Sequence, residues 1–171
     1  MVFVYTEIKK IKILGLICVM IYASMNDIIT NKKAYFNYEI LETYEAGIEL
    51  KGFEVKAIKT GKASLLGSFV VIKNGEAWLL NADVSPYQSS NTTPDYDPKR
   101  TRRLLLKKEE IKDLVGKTHE NGLTIVPLKL YNKDRKIKIE IGIARGKKKT
   151  DKRETIKKRE WSRLRRNIET R

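Results

Sequence analysis

The sequence has few of the residues from which metal centres, disulfides and catalytic sites are built. Its 171 residues include one cysteine, Cys18, and one histidine, His119. This excludes a disulfide within the chain and most metal sites, because zinc usually takes three or four protein ligands. A Cys–His nucleophile pair is formally possible, but Cys18 lies in an apolar run that we expect outside the fold. Since GxGxxG, Walker A and GxSxG motifs are also missing, we expect no enzyme, cofactor or metal site.

Long hydrophobic runs are missing too. The longest apolar stretch, residues 13–23, has eleven residues, whereas a membrane span needs about 20. Three lysines precede it, as in the first two regions of a secretory signal, which would suit an exported cationic protein acting at membranes. We favour another interpretation, in which Met25 is the initiator and residues 1–24 are translated upstream sequence. We therefore expect residues 1–30 to be an extension outside the fold and the protein to be cytoplasmic.

Acidic residues are scarce at the C-terminal end. Residues 145–171 contain thirteen Lys or Arg and four Asp or Glu, so +9 of the total net charge of +15 lies there. Ordering a chain costs about 1–2 kcal/mol per residue for the backbone alone, and few apolar side chains are present to offset that cost. We expect this basic tail to be disordered when free and to become ordered along a strongly negative partner.

The bound tail is predicted to be helical. Glu154 and Lys158 have the favourable i, i+4 order, and Trp161, Leu164 and Ile168 form a narrow apolar stripe at helical spacing. A solvated charge run, a basic helix on a membrane surface and a nucleic-acid-binding arm are the three alternatives. We favour the last, because it also explains the basic body of the chain.

Residues 31–144 are predicted to form one mainly β domain. The pattern indicates a long strand over residues 36–50, bent near Ala46-Gly47, and a short helix over residues 52–59. Asn74-Gly75 is the favoured dipeptide of a type I′ turn and predicts a hairpin within residues 68–84, with Trp78 in the core. Residues 86–100 form a polar loop.

The second half of this domain continues the pattern. Asp97-Pro98 resembles a helix start, residues 108–115 a second short helix, and residues 123–131 and 137–144 two strands. The isoleucines at 137, 139, 141 and 143 alternate with polar residues and face one side. About six short strands with little helix predict a small barrel or sandwich, and Greek-key barrels of the OB type bind nucleic acids.

Five collinear segments resemble the SsrA-binding protein family, also called small protein B. They are residues 31–65 (containing YEAGIELKG), 74–81 (NGEAWLLN), 97–111 (DPKRTRRLLLKKEEI), 122–131 (GLTIVPLKLY) and 141–161 (IGIARGKKKTDKRETIKKREW). The resemblance implies an OB-type barrel that holds the tRNA-like domain of transfer-messenger RNA (tmRNA) in trans-translation, the rescue of stalled bacterial ribosomes. It implies a tail that folds as a helix in the empty mRNA channel, against 16S rRNA near the decoding centre. Elongation factor Tu is a further implied partner in delivery.

Candidate RNA-binding residues follow in the barrel. By resemblance, Glu45 and Leu105 contact tmRNA, although a Glu beside a Gly can simply cap a turn and a Leu among three is often core. Arginine binds phosphate bidentately, so the cations of residues 100–107 are candidates on their own chemistry: Arg100, Arg102, Arg103 and Lys107.

Candidate ribosome-binding residues lie in the tail. The family string is matched by Gly146, Lys147, Lys148, Asp151, Lys152 and Arg153, and further candidates along the tail are Lys157, Arg159, Trp161 and Ile168. Asp151 is expected to pair with a neighbouring base or to cap the induced helix. Thr150 stands where the family usually has Tyr or His, and Phe36 where many members have His. The alternative function is a general rRNA- or tRNA-binding protein without a role in rescue.

Overall fold

The computed structural model describes residues 26–88, 95–118, 122–148, 150–153, 156 and 160–161. In these ranges the domain has nine strands and three helices. In chain order they are β1 (Asn26–Thr30), α1 (Lys32–Asn37), β2 (Tyr38–Ile48), α2 (Gly52–Lys59), β3 (Ala63–Ser64), β4 (Phe69–Lys73), β5 (Glu76–Leu80), β6 (Asp83–Val84), β7 (Arg102–Leu105), α3 (Lys108–Thr118), β8 (Leu123–Lys133) and β9 (Lys136–Gly146).

Six strands close into a barrel. They follow the order β8-β4-β5-β7-β2-β9, and β9 pairs back onto β8. The two longest neighbours, β8 and β9, run antiparallel from Leu123 opposite Arg145 to Lys133 opposite Lys136. The four alternating isoleucines of β9 are at most 8% exposed and fill the interior. Closure leaves the barrel without a free edge, and the predicted mainly β, OB-like fold is confirmed.

Two tight turns have backbone with positive φ angles, and the sequence predicts only the first of them. Asn74 and Gly75 have φ angles of 54° and 72°, which confirms the type I′ hairpin. Asp134 and Arg135 adopt φ angles of 50° and 63° between β8 and β9, at a place with no Gly to announce the turn. The long pairing of the two flanking strands imposes this conformation there.

The ordered domain begins earlier than predicted. Strand β1 pairs antiparallel with β8, with Thr30 opposite Lys129, so residues 26–30 belong to the sheet rather than to an extension. The side chain of Asn31 then accepts from the Ala34 amide at the start of α1 and donates to the Leu65 and Pro127 carbonyls. The expectations for residues 1–25, including Cys18 and Met25, lie outside the described residues, as does His119.

Strand β2 also differs from its prediction. Phe36 belongs to α1, the strand starts at Tyr38, and the register shift lies between Ile40 and Glu42 rather than at Ala46-Gly47. At Gly47 the strand instead acquires β7 as its second neighbour. The irregularity predicted at Ala46-Gly47 is therefore a change of neighbouring strands, from β9 alone to β9 and β7.

Two further predictions are wrong. Trp78 is half-buried on the outer face of β5, because its neighbours Ala77 and Leu79 occupy the core. Asp97 starts a turn rather than a helix: its carboxylate accepts from the Lys99 amide at 2.8 Å, and residues 102–105 continue as strand β7.

Candidate nucleic-acid interface

A group of residues, most of them polar or charged, lies on the outer face where β2, β7, β8 and β9 meet. Strand alternation turns Ala46 into the core and its neighbours Glu45 and Gly47 outward. The register places Lys138 on one side of Gly47 and Leu105 on the other. We call this group the Glu45 patch; its members are Glu45, Gly47, Leu105, Tyr131, Lys133 and Lys138.

Glu45 is the centre of the patch. Its carboxylate accepts a hydrogen bond from Lys133 Nζ at 2.8 Å and from the Tyr131 hydroxyl at 2.7 Å, and Lys138 Nζ lies 3.8 Å away. The hydrogen bond from Lys133 and then that from Tyr131 lower the pKa of the Glu45 carboxyl. Glu45 lies within a strand and caps no turn. It is ionised at neutral pH and holds two lysines at the surface.

Leu105 is not a core residue. Leu104 points inward at 2% exposure, whereas Leu105 points outward at 55%. A Cβ atom on Gly47 would lie 3.1 Å from the Cβ of Leu105 and 3.4 Å from its Cδ1. Leu105 is therefore seated over the bare backbone of Gly47, two residues along β2 from Glu45 and on the same outward face. This places the two residues implied by the resemblance on one continuous surface.

Arg102 is removed from the set of candidate RNA contacts. Its side chain is 0% exposed, and its Nε and Nη2 donate to Glu54 Oε1 at 3.1 and 2.9 Å. Its remaining donors bind the carbonyls of Ala82, Pro98 and Arg100. The N–H groups of this guanidinium are already hydrogen-bonded inside the protein, so Arg102 cannot bind a phosphate and the expectation for it is corrected.

Arg100 shares the same buried carboxylate. Its Nε donates to Glu54 Oε1 at 2.9 Å, but its side chain keeps 26% exposure. Burial alone raises the pKa of the Glu54 carboxyl, yet hydrogen bonds from Arg100 and the Lys51 amide, with the charge of Arg102, lower that pKa to about 2. The Tyr96 hydroxyl also lies 3.0 Å from Glu54 Oε1. This cluster ties residues 95–102 to α2.

Arg103 and Lys107 do lie at the surface. Arg103 is 44% exposed and pairs with Glu76 at 2.6 Å, beside Trp78 on the neighbouring strand. Lys107 is exposed, and its amide donates to the Glu110 carboxylate as α3 begins. Sequence reasoning missed Gly47, Lys133 and Lys138, although the alternation of β9 placed Lys138 on the face opposite the buried Ile137 and Ile139.

The tail leaves the barrel next to α1. The Lys147 amide donates to the Asn37 carbonyl at 2.9 Å, and its Nζ donates to the Tyr35 carbonyl at 3.1 Å. Residues 150–153 are helical, and the Asp151 carboxylate accepts from the Lys148 amide at 3.0 Å, which caps this turn.

Some of the other tail candidates lie in the described residues and some do not. Gly146 ends β9, while Lys152, Arg153 and the 62%-exposed Trp161 belong to helical segments of the described tail. Lys157, Arg159 and Ile168 lie outside the described residues. Disorder of the free tail stays a prediction.

Two properties of the described ranges bear on other functions. They contain no group of three or more His, Cys, Asp or Glu side chains placed to hold a metal ion. None of their helices combines the length and the apolar character that a membrane crossing requires.

Comparison with known proteins gives one consistent result. A family model described as SmpB protein matches residues 28–170. The SsrA-binding protein of Gloeothece citriformis is 55% identical over 130 residues, covering 76% of this chain and 84% of the relative. That of Thermosipho africanus is 56% identical over 140 residues, covering 81% and 93%. A solved structure described as "tmRNA-SmpB: a journey to the center of the bacterial ribosome" matches with a TM-score of 0.61 and 47% identity, covering 72% of this chain and 86% of the other.

Proposed function

The chain belongs to the SmpB protein family, and we propose that it binds the tRNA-like domain of tmRNA and brings it to stalled ribosomes in trans-translation. The observation that carries the proposal is the match of nearly the whole domain and tail to one family whose members bind SsrA RNA. The protein acts by binding in the cytoplasm and needs no cofactor. Elongation factor Tu is its further partner during delivery.

The barrel binds the RNA through the Glu45 patch. Glu45 carries a negative charge and does not itself attract phosphate; it positions Lys133 and Lys138, whose ammonium groups neutralise the RNA backbone. Leu105 adds an exposed apolar contact beside them. Arg103, Lys107 and the accessible part of Arg100 extend the positive surface along β7, and Arg102 keeps that strand in place from inside.

The tail makes the ribosomal contact. Lys147 fixes the point where the chain leaves the barrel, and the Asp151 cap starts a helix directly after it. The basic side chains beyond it, including Lys152 and Arg153, face 16S rRNA in the empty mRNA channel near the decoding centre. Trp161 and Ile168 supply the apolar edge of that helix. Thr150 cannot stack on a base, so this chain lacks one contact that an aromatic residue would make there.

Binding to a transcript of the tRNA-like domain tests the role of the patch. Glu45→Gln should weaken binding about 5- to 30-fold, because two lysines lose the group that positions them. Glu39→Gln is the matched control: it removes the same charge from the same strand, at an exposed position opposite Arg145.

The salt dependence separates the contacts from one another. Arg103→Ala should reduce the slope of log affinity against log salt concentration by about 0.7–0.9, the value for one lost phosphate contact, whereas Glu45→Gln removes no cation and should reduce the slope by less than that. Equal binding to the tRNA-like domain and to unrelated RNA of the same length would support the general RNA-binding alternative and contradict the proposal.

A further inference from the structure

An apolar block covers the outer face of the hairpin formed by β4 and β5. Phe69 stands opposite Leu80, and Val71 stands opposite Trp78, so four apolar side chains form a two-by-two array. Phe69 is 38% and Val71 is 36% exposed, while Trp78 and Leu80 are half-buried. We call this array the Trp78 face. It lies on the opposite side of the strands from the core and contributes nothing to filling it.

The Trp78 face continues into the positive surface of the neighbouring strand. Trp78 stands opposite Arg103 on β7, and the next outward residue of β7 is Leu105 over Gly47. Arg103 pairs with Glu76, whose side chain is itself 37% exposed. Since ion pairs at the surface contribute little to stability, a phosphate can take the place of Glu76 at little cost.

Contiguous exposed apolar surface on a small domain usually marks a binding site. A protein interface needs an apolar core and a polar rim, but it does not need a continuous basic surface beside it. Here the rim carries Arg103 and joins the Glu45 patch, and RNA loops are recognised by stacking unpaired bases on aromatic side chains beside basic groups. The surroundings of Trp78 therefore favour RNA as the occupant.

We propose that the Trp78 face binds an unpaired nucleobase of the RNA held by the Glu45 patch, with the base stacked on the Trp78 indole and its phosphate on Arg103. This inference rests on the proposed function and deepens it. It assigns the two surfaces different tasks. The patch neutralises phosphates, whereas the Trp78 face selects RNA in which a base is free of pairing.

The fluorescence of Trp78 tests the proposal without any change to the Trp78 face. The chain has two tryptophans, so Trp161→Phe leaves Trp78 as the sole indole. Adding a transcript of the tRNA-like domain should quench its emission, because stacking on a base brings the two rings into contact. A fully paired RNA duplex of equal length should leave the emission unchanged at matched occupancy.

Affinity gives a second, independent measurement. Trp78→Ala should weaken binding to the tRNA-like domain about 5- to 100-fold, the range for the loss of one stacked base, with the salt slope unchanged. Trp78→Phe should restore most of the affinity, since it keeps an aromatic face. Trp161→Ala, the same change in the tail, should leave this affinity within about twofold.

Three results would overturn the inference. One is unquenched Trp78 emission at saturating RNA. This measurement keeps Trp78 in place, so it remains valid even if the Trp78→Ala variant folds poorly. The second is equal quenching by the paired duplex. The third is a change of emission with ribosomal subunits but not with the RNA, which would give the face to the ribosome. In each case binding of the RNA by the Trp161→Phe protein would leave the proposed function standing, whereas failure to bind would count against that function itself.

Discussion

Two carboxylates of this domain each hold basic side chains, and their surroundings give them opposite uses. Glu54 is 0% exposed and binds the equally buried Arg102 and the partly buried Arg100. Glu45 is 35% exposed and binds Lys133 at 2.8 Å on the outside of the barrel. The pKa of each carboxyl is lowered by its partners, so both are ionised at neutral pH.

The two clusters differ in how far solvent reaches their cations. The guanidinium of Arg102 is surrounded by the Glu54 carboxylate and main-chain carbonyls. Its ion pair with Glu54 links β7 to α2. Lys133 keeps 43% exposure, so its ammonium group is accessible from solvent. Burial, rather than residue type, decides whether a cation of this protein is enclosed in the fold or stays accessible at the surface.

The largest expected effect comes from opening the buried cluster. Arg102→Ala should destabilise the domain by about 3–5 kcal/mol, because it leaves a buried carboxylate short of its partner. Urea unfolding of the purified chain measures the change. Arg103→Ala, one residue along and 44% exposed, should stay within about 0.5 kcal/mol. Similar losses in both variants would show that burial does not separate these two arginines.

Acid should act on the same cluster. The Glu54 carboxyl has its pKa lowered from 4.5 to about 2, so its contribution to stability is present above about pH 4.5 and is lost as the pH falls toward 2. Thermal unfolding across this window should show that loss. Glu54→Gln should start less stable at pH 7 and show a shallower decline on acidification. An unchanged decline in that variant would assign the acid sensitivity to other carboxylates.

Much of the architecture could be predicted from the sequence, and one segment shows why the site could not. The alternation of the β9 isoleucines and the Asn74-Gly75 turn gave the barrel its closing strand and its hairpin. Residues 102–105, in contrast, were not predicted to be a strand, since Asp97-Pro98 resembles a helix start. Once they are placed in a strand, period-two alternation puts Arg102 and Leu104 inside and Arg103 and Leu105 outside. The candidate list thus mixed both faces of one strand.

Partners distant in sequence were beyond reach for a different reason. Glu54 and Arg102 are 48 residues apart, and Glu45 and Lys133 are 88 apart. Each pair comes into contact only when the barrel closes, so no local sequence pattern predicts the contact. Strand β1 escaped notice similarly, since five residues with two polar ones at the start show no clear alternation until β8 is there to pair with them.

Two lysines where the tail leaves the barrel also differ in whether they are bound to the fold. Lys147 and the exposed Lys148 are adjacent lysines, but the Lys147 ammonium donates to the Tyr35 carbonyl at the end of α1. Lys147→Met should reduce peptide tagging on stalled ribosomes several-fold more than Lys148→Met, while the affinity of both for the isolated tRNA-like domain stays alike. Tagging measured with purified ribosomes gives the ratio. Equal losses would mean that only the charge of the two lysines matters.

The smallest expected effect is at Gly47, where the exposed cluster depends on a missing side chain. A Cβ atom there would come within 3.1 Å of the Leu105 Cβ, so Gly47→Ala must push Leu105 outward by a few tenths of an ångström. Because Leu105 is at the surface and can yield, stability should change by no more than about 1 kcal/mol. Affinity for the tRNA-like domain should nevertheless fall a few-fold, since Leu105 and Glu45 would no longer share their original geometry. Leu105→Gly combined with Gly47→Ala sharpens the test: once the Cβ of residue 105 is gone, the Gly47 change should have no further effect on affinity, and an additive loss would contradict this account of the patch.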